Sequence, residues 1–323
     1  MKAAARRVIR LGLRLFVVLA LVVSSLVAEA QQAGPVRTIG TLGHTKASSF
    51  EEGLRELGWV EGKNVRFERR LSTDPKELAR FAAELARMPV DVIFAGNAPA
   101  TRAAVEATRA IPIITVSADP VTTGVAASLA RPGANVTGVA YTQLTGKRLE
   151  LLVQAVPTAR RVAFLSNPTN PNTREFRREA QTVANALGIK LLGFEVSVPD
   201  KIGSVMAAVA KARPDAFLTA SDSLFFMIHE RLIEAVARHR LPAMWEFRGF
   251  VEAGGLMSYG ALPGELYRRA ATYADRILKG TKPADLPVEQ ATTFELAVNL
   301  KTAHALNITL PSAVLLRADY LVQ

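Results

Sequence analysis

Asp91-Val-Ile-Phe94, a polar loop, a helix-period stretch and Ile111-Pro112-Ile-Ile114 form a passage that the chain repeats in layout. It returns as Asp215-Ala-Phe-Leu218, a polar loop, a helix-period stretch and Leu241-Pro242-Ala-Met244. A short apolar run, an amphipathic helix and a second apolar run together spell a βαβ unit, whose strands are parallel and buried on both faces. The proline closing each unit has no N–H and biases the residue before it toward extended geometry, so it stops the helix and opens the next strand.

The same alternation extends outward in both directions. The first series reads as strand 36–42, a helix from Ser48 to Gly58, strand 65–71, helix 76–88, strand 90–95, helix 100–108 and strands 113–117 and 136–140. The second reads as helix 147–156, strand 161–166, helix 173–187, strand 190–196, helix 202–212, strand 216–219, one long helix over 224–239 and a strand around Met244. Helix 263–279, strand 294–298 and helix 301–306 are too few for a third domain and are expected to cross back. The fold class is therefore α/β, with two doubly wound, Rossmann-like lobes. The expected division is 31–142 plus about 260–288 for lobe 1, and 143–259 plus about 289–323 for lobe 2.

The 323 residues include 40 Lys and Arg, 29 Asp and Glu, and no cysteine. Thiolate catalysis, disulfides, Cys-ligated metals and a lipid-anchoring cysteine are excluded. Residues 1–30 read as an export signal. Lys2, Arg6, Arg7, Arg10 and Arg14 precede an apolar run over 15–27 that is too short to span a bilayer, and Ala28-Glu29-Ala30 offers a cleavage site. A soluble periplasmic protein, cleaved near Ala30, is expected. Removing the segment takes five basic residues and one acidic residue away and lowers the net charge from +11 to +7. That modest charge is scattered in pairs such as Arg160-Arg161 and Arg268-Arg269, a solvated surface rather than a nucleic-acid groove.

Catalytic signatures are missing. The nearest approach to a nucleophile elbow has Leu256 in place of its first glycine, there is no phosphate loop, and His229-Glu230 is followed by Ile233 where a zinc helix needs histidine. No enzyme activity, cofactor or metal is expected. In open α/β sheets ligands bind beyond the carboxyl ends of the strands, which selects the loops 43–48, 96–100, 117–120, 166–172, 220–223, 245–248 and 258–260. His44 is the one histidine in such a loop. Gly96-Asn97-Ala98-Pro99 opens a helix whose free N–H groups suit a carboxylate, and Asn167 to Asn170 offer the same from the other lobe. Asp119 and Asp222 are candidate acceptors for an ammonium group, although each also suits a turn or cap. Trp245, Phe247 and Tyr259 are candidates to hold an apolar side chain.

Longer blocks carry a resemblance. Glu52-Gly-Leu-Arg-Glu-Leu-Gly-Trp-Val-Glu-Gly62, Asp119-Pro-Val-Thr-Thr-Gly124, Ser128-Leu-Ala-Arg-Pro-Gly133, Gly146-Lys-Arg-Leu-Glu-Leu-Leu152 and Phe250-Val-Glu-Ala-Gly-Gly-Leu-Met-Ser-Tyr-Gly260 resemble the solute-binding proteins of bacterial ABC importers, in the tryptophan/tyrosine-binding-like subgroup. The resemblance implies a type I periplasmic binding protein architecture, with two lobes, a three-strand hinge and a ligand trapped between them. It maps the cleft onto His44, Asn97, Ala98, Asp119, Asn167, Asn170, Asp222 and Trp245-Glu246-Phe247. The chain departs from the family pattern at Gly96-Asn97, where a Gly-Thr-type turn is common, and at Trp245-Glu246, where an aromatic-Gly pair is common. An acidic Glu246 disfavours a simple anionic solute. The implied function is a monomeric carrier that captures an amino acid or similar zwitterion and delivers it to a membrane permease driven by a separate ATPase. A periplasmic sensor presenting its solute to a membrane receptor is the alternative.

Overall fold

The computed structural model describes residues 35–44, 47–118, 120–121, 123–141 and 144–323, so the expected export segment and Asp119 lie outside the described residues. The first series builds β1 (Arg37–Gly43), α1 (Ser48–Glu56), β2 (Val65–Leu71), α2 (Pro75–Arg87), β3 (Val92–Ala95), α3 (Ala98–Ala107), β4 (Ile113–Ala118) and β5 (Val136–Tyr141). The second builds α4 (Thr145–Ala155), β6 (Arg161–Ser166), α5 (Thr173–Leu187), β7 (Lys190–Glu195), α6 (Ile202–Ala212), β8 (Ala216–Thr219), α7 (Ser223–Met227), α8 (His229–Arg238) and β9 (Ala243–Trp245). It continues through α9 (Arg248–Glu252), β10 (Met257–Ala261), α10 (Pro263–Leu278), β11 (Glu289–Gln290), β12 (Phe294–Asn299), α11 (Leu300–Ala305), α12 (Ser312–Leu315) and β13 (Tyr320–Val322).

Local chemistry explains individual elements. Before α2, Asp74 is extended and its side chain accepts the Lys76 N–H at 2.9 Å, while Pro75 supplies the first helical residue; Leu78, Ala82 and Leu85 then recur on the buried face. All four residues of β3 are buried, as a central parallel strand requires.

The strands form two sheets, ordered β11-β5-β4-β3-β1-β2 and β13-β12-β10-β9-β8-β6-β7. All pairings are parallel except β10 with β12. Within them, β2-β1-β3-β4-β5 and β7-β6-β8-β9-β10 repeat one doubly wound order, and the repeated motif explains why. Asp91 accepts the Thr38 N–H at 2.7 Å, and Asp215 accepts the N–H groups of Arg160 and Arg161 at 2.8 Å. The aspartate before the third strand of each lobe thus clamps the start of that lobe's first strand. The prolines match as well: Ile93 donates to the Pro112 carbonyl and Phe217 to the Pro242 carbonyl, both at 2.8 Å.

Each lobe takes one covering helix from the far side of a chain crossing. The helix α10 follows β10 of the second sheet, yet Ala270, Ala271, Ala274 and Leu278 pack in the first lobe's core with Phe50, Leu54 and Phe94. Conversely, α4 follows β5 of the first sheet, and Leu149, Leu152 and Ala155 pack in the second lobe's core with Phe164 and Phe176. The chain passes between the sheets after β5, between β10 and α10, and between β11 and β12. Because β11 pairs with β5, Glu289 and Gln290 stand in the first sheet and the last passage follows them.

Two further expectations are corrected. The long helix expected over 224–239 is broken at Ile228 into α7 and α8, and the His229 imidazole Nδ1 bonds the Phe226 carbonyl at 2.8 Å at the break. Residues 258–260 are not a loop but the middle of β10, paired with Glu295, Leu296 and Ala297 of β12.

Candidate ligand-binding cleft

A doubly wound sheet of order 2-1-3-4-5 opens a crevice where its winding reverses, at the carboxyl ends of its first and third strands. In the first lobe these ends carry His44 and Gly96-Asn97; in the second they carry Asn167 to Asn172 and Ser221-Asp222. In both lobes a side-chain hydrogen bond ties the two loops together, His44 to Asn97 at 2.9 Å and Asn170 to Asp222 at 2.7 Å. The two crevices face one another across a cavity of about 100 Å³ lined from both lobes.

On the first lobe, the Asn97 side-chain oxygen accepts the Ala100 N–H at 2.8 Å and caps α3. That leaves its Nδ2 to donate to His44 Nδ1, so Nδ1 is the acceptor and the neutral ring carries its proton on Nε2. Burial holds the imidazole neutral by lowering its pKa to about 4. Tyr267, from α10, donates to the Gly96 carbonyl at 3.0 Å, and burial raises its pKa to about 12, which keeps it a neutral phenol. Val116, Tyr141, Pro263 and Leu266 complete an apolar wall.

The second lobe supplies charge. Asp222 caps α7 through the Leu224 N–H at 2.8 Å and also accepts from Asn167 Nδ2 at 3.1 Å and Asn170 Nδ2. Burial raises its carboxyl pKa, against those three hydrogen bonds. Glu246 lies at the end of β9 with 8% of its surface exposed; burial raises its pKa, opposed by Arg148 and by the Ser221 hydroxyl. Arg148, from α4, is 1% exposed and donates to Ser221 Oγ at 2.9 Å. Phe226 and Phe247 meet edge to face at 6.0 Å beside these groups.

Of the residues singled out from sequence, His44, Asn97, Ala98, Asn170, Asp222, Glu246 and Phe247 line the cavity. Asn167 supports it from behind through Asp222. Two expectations are corrected. Trp245 is fully buried in the second lobe's core, stacked on Phe250 at 5.0 Å, because alternation along β9 turns it away when Glu246 faces the cavity. Tyr259, in β10, packs beside Phe294 with centroids 6.2 Å apart and does not reach the cavity. Sequence reading missed Tyr141, Ser221, Phe226, Leu266 and Tyr267. Ser221 fell within a selected loop and could have been named. Tyr267 gave no local signal, since its place depends on the crossing of α10.

The residues 43–322 match the family of ABC transporter substrate binding proteins, and the chain belongs to that family. It is a binding protein rather than an enzyme, with the two-lobed type I periplasmic binding protein fold. A tyrosine-binding protein of Clostridioides difficile (strain R20291) is 24% identical over 266 residues, covering 82% of this chain and 77% of that one. Among solved structures, an ABC domain from Streptococcus pneumonia in complex with L-Trp is 24% identical, with a TM-score of 0.83 over 89% of this chain and 100% of that one. A ligand-free, open substrate binding protein with adhesive properties from Clostridium difficile is also 24% identical at the same coverages, with a TM-score of 0.62.

Proposed function

We propose that the protein is the solute-capturing subunit of an ABC importer, and that its solute is an amino acid with an aromatic or large apolar side chain. The observation that carries this reading is the division of the cavity wall: buried carboxyls of Asp222 and Glu246 on one lobe, and a neutral donor set with an apolar wall on the other. The acidic pair takes the ammonium group. The His44 Nε2–H and the Ala98 N–H, at the start of α3, take the carboxylate. Tyr141, Phe226, Phe247 and Leu266 surround the side chain. The relatives that bind tyrosine and L-Trp support the class of solute. On this reading the protein is exported through residues 1–30, works as a monomer in the periplasm, and hands its solute to a membrane permease powered by an ATPase.

Isothermal titration of the chain from residue 31 with the twenty amino acids tests the reading. Saturable one-to-one binding of tyrosine, tryptophan or phenylalanine is expected. A folded protein that binds none of the twenty overturns it.

A further inference from the structure

The two carboxyls of the cavity are not equivalent. Asp222 already accepts three hydrogen bonds, from Asn167, Asn170 and the Leu224 N–H, and so spends its lone pairs holding two loops and a helix together. Glu246 also lines the cavity and, among the described residues, takes a side-chain hydrogen bond from the Ser221 hydroxyl alone, which leaves acceptor capacity in a buried place. Ser221 in turn accepts from Arg148 Nη2 at 2.9 Å. Arg148 is itself nearly inaccessible, and its Nε and Nη1 have no hydrogen-bond partner.

A buried guanidinium with unmet donors is costly unless an opposite charge lies near it. The charges that act on Arg148 are Glu246, Glu179 on α5 and the Tyr141 phenol. Arg148, Glu246 and Asp222 together carry one net negative charge when both acids are ionised, and Glu179 on α5 draws on the same guanidinium, so Arg148 alone does not balance the acids. A single cationic nitrogen from a ligand completes it.

We propose that Glu246 is the residue that receives the cationic nitrogen of the ligand, and that Arg148 is the positioning residue that holds it for that role through Ser221. Asp222 is then a structural clip. The proposal rests on the reading of the cavity as an amino-acid site and narrows it: compounds that lack the amine are rejected because they leave the excess negative charge of Glu246 and Asp222 buried without a counter-charge. Ligand binding also draws a proton from Glu246, whose carboxyl burial raises and whose neighbours Arg148, Ser221 and Asp222 set the balance. Affinity for the amine therefore rises with pH to a plateau.

The test compares tyrosine with 3-(4-hydroxyphenyl)propanoate, which lacks only the amine, by calorimetry on wild type, E246Q, D222N, S221A, R148M and R148K. In wild type the amine is expected to give roughly 100-fold tighter binding. E246Q is expected to abolish that preference and D222N to keep most of it while lowering the melting temperature. R148M and S221A move the pH plateau upward, and R148K restores it in part because it keeps the charge. Preference lost in D222N and kept in E246Q overturns the assignment, as does an unmoved plateau in both R148M and S221A. A second arm needs no ligand: carbon-13 titration of the Glu246 carboxyl, assigned by its absence in E246Q, is expected to give a higher midpoint in R148M than in wild type. If wild type binds no amino acid, the functional reading falls, and an equal midpoint in R148M then overturns the charge assignment separately.

Discussion

His44 of the first lobe and Phe226 of the second meet edge to face across the cavity, their ring centroids 5.4 Å apart. The contact joins residues 182 positions apart, on lobes that the intervening chain links by the single crossing after β5, so it exists only while the lobes are together. Both partners are held from their own side: His44 by Asn97, and Phe226 by edge contact with Phe247 at 6.0 Å and by its carbonyl's bond to His229.

F226A is accordingly expected to weaken closure without unfolding either lobe. An aromatic pair contributes about 1 kcal/mol beyond its buried area, so ligand affinity falls roughly fivefold or more, mainly through faster release. Stopped-flow dissociation and small-angle scattering of the ligand-free protein check this: release accelerates, and the ligand-free radius of gyration grows.

Acid is expected to destabilise the folded protein through His44. Its pKa is lowered by burial from the ordinary 6.5 to about 4. Between those values the unfolded chain binds a proton that the folded protein refuses, so stability is fully present above about pH 6.5 and declines as the pH falls toward 4. The loss from this residue approaches about 3 kcal/mol. Protonation would also end the Asn97-to-Nδ1 hydrogen bond, since both ring nitrogens become donors. Chemical denaturation at pH 7 and pH 4.5 in wild type and H44Q measures the contribution: over that interval the drop in the variant is smaller by about 2.5 kcal/mol.

N97A removes both the cap of α3 and the partner of His44. Loss of an asparagine cap costs about 1 kcal/mol, and the midpoint of denaturation shifts to match. Nitrogen-15 spectra of the histidine rings report the rest: in wild type His44 shows a single Nε2–H tautomer, and in N97A it becomes a mixture.

The sequence showed the strand-end loops because winding order alone decides where a doubly wound sheet opens, and the paired Asp91 and Asp215 motifs revealed the winding. It showed Asn97 and Asp222 because capping residues stand directly before helices. Both do cap, and both face the cavity, so the ordinary role and the functional one coincide. What stayed hidden depended on register or on long-range packing. Trp245 and Glu246 are adjacent, and a strand sends neighbours to opposite faces, so composition could not tell which one reached the cavity. Tyr267 and Arg148 lie on helices that cross to the other lobe, where no local pattern points.

W245F separates that correction from the expectation it replaced. Trp245 is fully buried and its indole N–H has no hydrogen-bond partner, so phenylalanine loses packing but leaves no donor unsatisfied. A loss of about 1–2 kcal/mol in stability is expected, with the tyrosine dissociation constant unchanged within about twofold. A large affinity loss at unchanged stability would return Trp245 to the binding surface.

Gly260 connects the fold to the site through its missing side chain. A Cβ there would meet the Glu246 carbonyl oxygen at 2.2 Å and the Glu246 Cγ at 3.6 Å, so β10 can approach β9 only as glycine. G260A must push Glu246 out of its position under the cavity, and a cost of about 3 kcal/mol or more follows from forcing backbone against backbone. Gly193 in β7 is the control, because a Cβ there meets nothing within 4 Å. G193A is expected to be neutral or to stabilise by up to about 1 kcal/mol by restricting the unfolded chain. Melting temperature and tyrosine affinity should therefore fall together in G260A and hold together in G193A; a G260A protein that keeps its affinity would mean that Glu246 does not need its place beside β10.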